Sequence, residues 1–241
     1  MTSGSRGLRR LWLGTVPYRE AWQLQRSLAA ARAAGEIGDC LLLLEHPPVY
    51  TVGRNAQAAH LRDGPAALRA LGAECIEVDR GGSVTFHGPG QLVGYPIIRL
   101  ASAFPIPANP ERGDVVAYVR ALEGALIATA RRHGIEAARR PGFTGAWVGR
   151  EKLAAIGVKL AGGVTQHGVA LNVTTDLGWF DHIVPCGIPD AGATSMLREG
   201  VAGLTPESVA EEFAADLAEA LGTSLSDADA DLRRLTVAAA A

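Results

Sequence analysis

Of the 23 basic side chains in this 241-residue chain, 21 are arginine and two are lysine, Lys152 and Lys159. Lysine has a use that arginine lacks, because its ammonium gives up a proton near neutral pH when its surroundings shift its pKa. Both lysines fall in the segment Glu151-Lys152-Leu153-Ala154-Ala155-Ile156-Gly157-Val158-Lys159. Cys186 lies 34 residues beyond Lys152, between Pro185 and Gly187, in a setting that reads as a loop. A free thiol has a pKa of roughly 8.5, and a nearby ammonium lowers it. An amine and a thiol near one site point to nucleophilic chemistry. The competing explanation is an arginine-biased chain that retains two lysines, and the count alone does not choose between them. The other cysteines, Cys40 in Cys-Leu-Leu-Leu-Leu and Cys75 in Glu-Cys-Ile-Glu-Val, read as buried strand residues.

Two further segments carry candidate chemistry. Residues 80–91 read Arg-Gly-Gly-Ser-Val-Thr-Phe-His-Gly-Pro-Gly-Gln, whose four glycines let backbone N–H groups come close to a ligand. No Gly-Lys-Ser/Thr follows, so this is not a Walker loop. A strand and not a helix follows, so it is not a dinucleotide fingerprint either; a glycine-rich hairpin with a structural arginine is the plainer alternative. Residues 152–172 end in Thr-Gln-His-Gly-Val-Ala-Leu-Asn, where His167 taken alone reads as a hydrogen-bonded turn residue. Regular strand alternation would place Lys152 with Ala154, Ile156 and Val158, and Lys159 on the opposite face with Leu153, Ala155 and Gly157. His46, His87, His167, His182 and Cys186 lack the close paired spacing of zinc ligands, so no metal is expected.

The elements that must position these residues alternate between strand and helix. A strand is expected at 11–16, a helix from Pro17 to about Ala34 closed by Gly35, and a buried strand at 40–45 stopped by His46-Pro47-Pro48. A short helix at 65–71, strands at 76–79 and 92–100, and a proline-marked loop at 101–112 follow. Asp114 caps a helix to about His133. Strands at 146–148, 153–160 and 168–173, a loop-like 178–200 and a last amphipathic helix from Thr205 to about Leu221 complete the pattern. Consecutive strands at 146–173 favour an α+β fold with a mixed sheet flanked by helices over a doubly wound one. One domain is expected over 11–222, with 1–10 and 223–241 loose.

Composition narrows the classes. With 48% hydrophobic residues the chain can bury a sizeable core, and a net charge of −2 argues against bulk electrostatic binding to nucleic acid or an anionic membrane. No apolar run reaches the roughly 20 residues of a membrane span, and the segment after Arg6, Arg9 and Arg10 is too short for a signal-peptide core. Three widely spaced cysteines do not form a disulfide framework, which fits a reduced, cytoplasmic protein.

Together the segments resemble one family. Arg80 to Gln91, Lys-Leu-Ala-Ala-Ile-Gly-Val at 152–158, His-Gly-Val-Ala-Leu-Asn-Val at 167–173, Pro-Cys-Gly-Ile at 185–188, Glu-His-Pro-Pro-Val-Tyr-Thr-Val-Gly at 45–53 and Thr194-Ser195 are similar to the lipoyl (octanoyl) transferases. The resemblance spans roughly residues 11–220. It implies a fold related to the catalytic domain of biotin and lipoate ligases, and transfer of octanoyl from octanoyl-acyl carrier protein to a lysine of lipoyl domains, those of 2-oxoacid dehydrogenases and the glycine cleavage H protein. It implies a Cys186–Lys152 pair acting through a thioester, with no cofactor. It also implies an acyl site formed by Arg80, Gly81, Gly82, Ser83, Val84, Thr85, Phe86 and His87, by Ala155, Ile156 and Gly157, and by Gly168, Val169 and Ala170. Two positions depart from the pattern: Phe86 stands where tyrosine is common, and Lys159 where arginine is usual. An acidic donor protein would need a local basic patch, for which Arg131, Arg132, Arg139, Arg140 and Arg150 are candidates. The rivals are an ATP-dependent lipoate or biotin ligase, which has no use for Cys186, and a non-enzymatic acyl-binding protein, weakened because no DNA-binding extension precedes residue 11.

Overall fold

The run Cys40-Leu41-Leu42-Leu43-Leu44 is apolar at every position, so it needs cover on both faces. The computed structural model describes residues 7–184 and 192–239. In chain order its elements are β1 (Gly7–Thr15), α1 (Tyr18–Ala34), β2 (Cys40–Glu45), β3 (Val49–Val52), α2 (Pro65–Ala70), β4 (Glu74–Glu77), β5 (Val84–His87), β6 (Gln91–Ile97), α3 (Leu100–Ala103), β7 (Pro105–Ile106), β8 (Asn109–Gly113) and α4 (Val115–Arg132). Then come β9 (Ala138–Arg140), β10 (Phe143–Val148), β11 (Glu151–Ala161), β12 (Val164–Asn172), α5 (Pro206–Ala220), β13 (Ser224–Asp227) and α6 (Ala230–Ala239). Among the described residues the main sheet has the strand order β13-β1-β2-β6-β12-β11-β10-β9, a mixed sheet with parallel pairs at β13-β1-β2 and antiparallel pairs beyond.

The leucine run divides strictly between two cores. Leu41 and Leu43 pack under α4 and α5 with Tyr118, Leu122, Phe213 and Leu217. Cys40, Leu42 and Leu44 pack under α1 and α6 with Ala21, Leu24, Leu28 and Leu232. The same alternation runs through β12, where Val169 and Leu171 belong to the α4–α5 side and Ala170 to the α1 side. A second sheet, in the order β4-β3-β5, has its own apolar cluster around Tyr50, Val84 and Phe86.

Helix ends follow local chemistry. Gly35 closes α1 in the left-handed region, its N–H reaching the Ala31 and Arg32 carbonyls. The Asp114 carboxylate accepts from the Val116 and Ala117 N–H groups at the start of α4. Thr205 and Ser208 form a reciprocal capping box on α5.

Several expectations need correction. The N-terminal segment is not loose up to residue 10, because β1 begins at Gly7. The C-terminal segment is not loose either. β13 pairs in parallel with Gly7–Arg10, and α6 buries Leu232 completely against the α1 side. Arg9 and Arg10 are ion-paired to Asp229 and Asp227 at 2.8 and 2.9 Å, joining the two chain ends. The sheet-forming unit therefore runs past 11–222 at both ends. The proline-marked 101–112 holds α3 and the β7–β8 hairpin. α5 is not the last helix.

Candidate active site

Two adjoining cavities lie on the α1 face of the main sheet, between β11–β12 and β5. They share Val84, Thr85, Ala155 and Ala170 and so form one trough. At one end stand Tyr18, Arg80, His87, Tyr95 and His167; at the other stand Lys152, Gln91, Asn172, Phe180 and Ala193.

The residues expected to bind acyl groups gather here. Arg80, Gly82, Ser83, Val84, Thr85 and His87 line the first cavity, together with Ala155, Ile156 and Gly157 of β11 and Gly168, Val169 and Ala170 of β12. Gly81 and Phe86 do not. Gly81 is occupied with backbone pairing, its N–H donating to the Val158 carbonyl at 3.1 Å. Phe86 points to the other face of β5, stacked on Trp179 with ring centroids 5.1 Å apart. A hydroxyl at that position would enter an apolar cluster, so phenylalanine fits it.

Small residues make the trough possible. A Cβ on Gly168 would lie 2.2 Å from the Gly94 carbonyl oxygen, and one on Gly53 would lie 2.4 Å from that of Gly82. A Cβ on Gly157 would meet Arg80 Cδ at 3.0 Å. Arg80 itself is 6% exposed and clamped. Its Nη2 donates to both the carbonyl and the hydroxyl oxygen of Thr51 at 2.8 Å, and its Nη1 donates to the Gly81 carbonyl at 3.0 Å. The plainer reading of Arg80 as a structural arginine thus describes its contacts, while its stem also lines the cavity.

Lys152 does not follow regular alternation. Ala146 pairs with Ala154 but Trp147 pairs with Lys152, so Leu153 is an extra residue on β11. This bulge resets the faces. Leu153, Ala154, Ile156 and Val158 join the α4–α5 core, whereas Lys152 and Ala155 line the trough. The two lysines are therefore on one face, not on opposite faces. Lys152 is 7% exposed, with Nζ 4.6 Å from the centroid of the Trp147 ring. Lys159 is bound elsewhere, its Nζ donating to Asp79 Oδ2 at 2.6 Å.

Cys186 lies outside the described residues. The chain on its C-terminal side rejoins the described fold beside Lys152. The Lys152 N–H donates to the Gly192 carbonyl at 2.9 Å, and the Thr194 N–H donates to the Lys152 carbonyl at 3.0 Å. An amide relay backs this end. His87 Nδ1–H donates to Gln91 Oε1 at 2.8 Å, Gln91 Nε2 donates to Asn172 Oδ1 at 2.9 Å, and Asn172 Nδ2 donates to the Thr194 carbonyl at 2.9 Å.

The other thiols are poor nucleophiles. Burial pushes Cys40 up to about 12, and Cys75, half-buried on β4, is also raised by burial. Cys75 is less enclosed than its strand pattern implied.

The far end carries polar groups that sequence reading missed, including Tyr18, Tyr95 and Asp79. His167 is the only non-glycine residue with positive φ among those described, at 56°. Its N–H donates to Gln25 Oε1 at 2.7 Å, and its Nε2 lies 3.0 Å from Asp79 Oδ1. His167 lies within β12, paired with Val158, and not in the turn that its sequence setting suggested. His46 donates from Nδ1 to the Val16 carbonyl at 2.6 Å and accepts at Nε2 from the Tyr95 hydroxyl at 2.7 Å. Burial holds His46 down to about 4 and lowers His87 and His167 as well. A histidine held neutral in the fold but free to protonate when unfolded stabilises fully above pH 6.5. That stability is lost as pH falls towards about 4. For His46 the loss is on the order of 3 kcal/mol. Urea unfolding at pH 7 and pH 4.5 should show a smaller acid loss in His46→Gln than in wild type; equal losses would refute this.

The expected basic patch is mostly committed to internal pairs. Arg132 is paired with Asp216, Arg139 with buried Glu123, and the Arg140 guanidinium stacks over the Phe143 and Trp147 rings. Among the described residues, no group of three or more His, Cys, Asp or Glu side chains could hold a metal ion, and no helix is long and apolar enough to cross a membrane.

The fold is that of lipoate ligases. A lipoate-protein ligase A bound with ATP superposes with a TM-score of 0.76 at 15% identity, over 96% of this chain and 93% of that one. A putative lipoate protein ligase from T. acidophilum with bound lipoic acid gives 0.72 at 16% identity, over 95% and 92%. The sequence profile of the lipoyl protein ligase A/B catalytic domain matches residues 17–218, and the chain belongs to that family. It is 51% identical to an octanoyltransferase of Rubrobacter xylanophilus over 87% of this chain and 91% of that one. It is 47% identical to an octanoyltransferase of Chloroflexus aurantiacus over 86% and 91%.

Proposed function

We propose that the protein transfers an octanoyl group from octanoyl-acyl carrier protein to a specific lysine of lipoyl domains, an early step of protein lipoylation in the cytoplasm. The observation that carries this reading is the trough itself, lined by small and apolar residues and ending at buried Lys152, which is hydrogen-bonded through its backbone to Gly192 and Thr194. Octanoyltransferase relatives at 47–51% identity support the same activity.

The reaction runs in two balanced steps. The Cys186 thiolate attacks the donor thioester carbonyl. The bond to the carrier sulfur breaks, and the carrier leaves as its thiol with the proton from Cys186. The ε-amine of the acceptor lysine then attacks the new thioester, forming an amide and releasing the Cys186 thiol, which takes the proton lost by the amine. Lys152 assists as a cation when the thiolate is needed and as a proton carrier in both steps. Amide formation from a thioester is downhill, so ATP has no part in it. The acceptors are lipoyl domains of 2-oxoacid dehydrogenases and the glycine cleavage H protein.

The test is a single turnover with octanoyl-carrier protein and no ATP, read by intact mass. The expected product carries one octanoyl group on Cys186, labile to hydroxylamine and passed on when a lipoyl domain is added. A requirement for ATP and free octanoate would favour a ligase. Acylation of Cys40 or Cys75 would overturn the assignment of the nucleophile.

A further inference from the structure

We infer that Trp147 is the positioning residue for Lys152, fixing the amine at the end of the trough through the face of its indole ring. This rests on the proton-transfer role given above to Lys152. Lysine brings a flexible four-carbon stem, and a catalytic amine must be confined to a narrow set of positions. Trp147 and Lys152 are direct cross-strand partners, and the ammonium lies 4.6 Å from the ring centroid. The ring is 1% exposed and cannot swing away. Indole attracts a cation to its face more strongly than phenyl or phenol rings do.

The surroundings maintain this pairing. The Leu153 bulge puts Lys152 opposite Trp147; regular alternation from Ala154 would give it to the other core. Gly145, at φ 128°, precedes the shift in register, and a Cβ there would lie 2.4 Å from the Ala154 carbonyl oxygen and 3.6 Å from Lys152 Cε. The Gly145 N–H donates to Oε1 of Glu123 at 3.2 Å. Glu123, on α4 and 1% exposed, is held in turn by Arg120 and Arg139. The helix thus fixes the irregular stretch of β10 that sets the register of the pair.

A ring face attracts an ammonium, so the charge of the Trp147 ring as well as its shape should matter to transfer and to its pH profile. The charged groups around the pair are Arg140, 5.0 Å from the same ring, Glu151 beside Lys152 and paired with Arg198, Glu123 behind Gly145, and Glu199, which is bound to Thr194. On the trough side the titratable group of the amide relay is His87, and Cys186 lies outside the described residues. A change confined to the ring's electrons acts on Arg140 as well as on Lys152, and Arg140 keeps its second ring contact, Phe143 at 4.7 Å.

The test replaces Trp147 by a tetrafluoroindole tryptophan through codon suppression, which keeps the shape and withdraws the ring's charge. Trp147→Phe, Trp147→Leu and Lys152→Ala are run alongside, with melting temperature and octanoyl transfer against pH as readouts. The fluorinated ring should lower melting by no more than a few degrees and move the acid-side half-maximal pH down by about 0.5–1 unit. Trp147→Leu should lose about tenfold or more in transfer, and Trp147→Phe should restore most of it. An unshifted pH profile with the fluorinated ring, or equal losses for Phe and Leu, would overturn the role of Trp147. Normal turnover in Lys152→Ala would overturn the role of Lys152 and this inference with it. An inactive Lys152→Ala beside an unshifted fluorinated enzyme would overturn this inference alone.

Discussion

Lys152→Arg should transfer octanoyl groups about 10²-fold more slowly than wild type, or slower still, the usual scale for losing an acid–base group. Lys159→Arg should be close to wild type. A guanidinium keeps the positive charge at position 152 and can still favour the thiolate, so some acyl-enzyme should form. It cannot give up its proton, so it cannot assist the incoming amine. Lys159 is committed to Asp79 at 2.6 Å, an ion pair that arginine can retain. The seven-residue separation along β11 puts the two lysines roughly 20 Å apart, so they cannot serve one thiol together. Steady-state transfer to a lipoyl domain, with the alkylation rate of the thiol against pH, checks both variants. Near-normal turnover in Lys152→Arg would mean that fixed charge suffices. Severe loss in Lys159→Arg would move the chemistry to the Asp79–His167 end of the trough.

Regular alternation along β11 would put the two lysines on opposite faces. The period of a strand is readable from residue types, and it held for the leucine run of β2 and for β12, where each face meets its own core. It failed at Leu153. A bulge there depends on what lies across the strand, here Gly145 and Trp147 on β10, and those contacts have no local signature on β11. β13 and α6 were missed for a related reason. Ser224-Leu225-Ser226-Asp227 has one apolar residue and no period. It is a strand because β1 offers an open edge, with Arg9 and Arg10 facing the acidic residues of the tail.

The trough was more legible than the scaffold. Glycines at 157 and 168 stand where neighbouring atoms leave no room for a side chain, so close packing fixes the residue type and leaves a motif in the sequence. Tyr18, Tyr95 and Asp79 left no such mark. They reach the far end from three separate segments, and only the folded chain brings them together. Phe86 marks the limit of reading by motif. It sits inside the glycine-rich stretch but on the opposite face of its strand, against Trp179.

Cys186→Ala should have the largest effect of any single change, with no covalent octanoyl intermediate and transfer reduced by about 10³-fold or more. Burial raises the pKa of both other thiols, so neither is a ready substitute. Cys186 is six residues from Gly192, whose carbonyl is bonded to the Lys152 N–H, and six residues reach at most about 20 Å. If Cys186 and Lys152 act as a unit, their losses will not add, and Cys186→Ala with Lys152→Arg should be no slower than Cys186→Ala alone. Single-turnover transfer by the two single variants and the double variant measures this directly. Fully multiplicative losses would mean that Lys152 works independently of the thiol. Retained transfer in Cys186→Ala would mean that the acceptor lysine attacks the carrier thioester directly, with Lys152 as its base and no enzyme-bound acyl group.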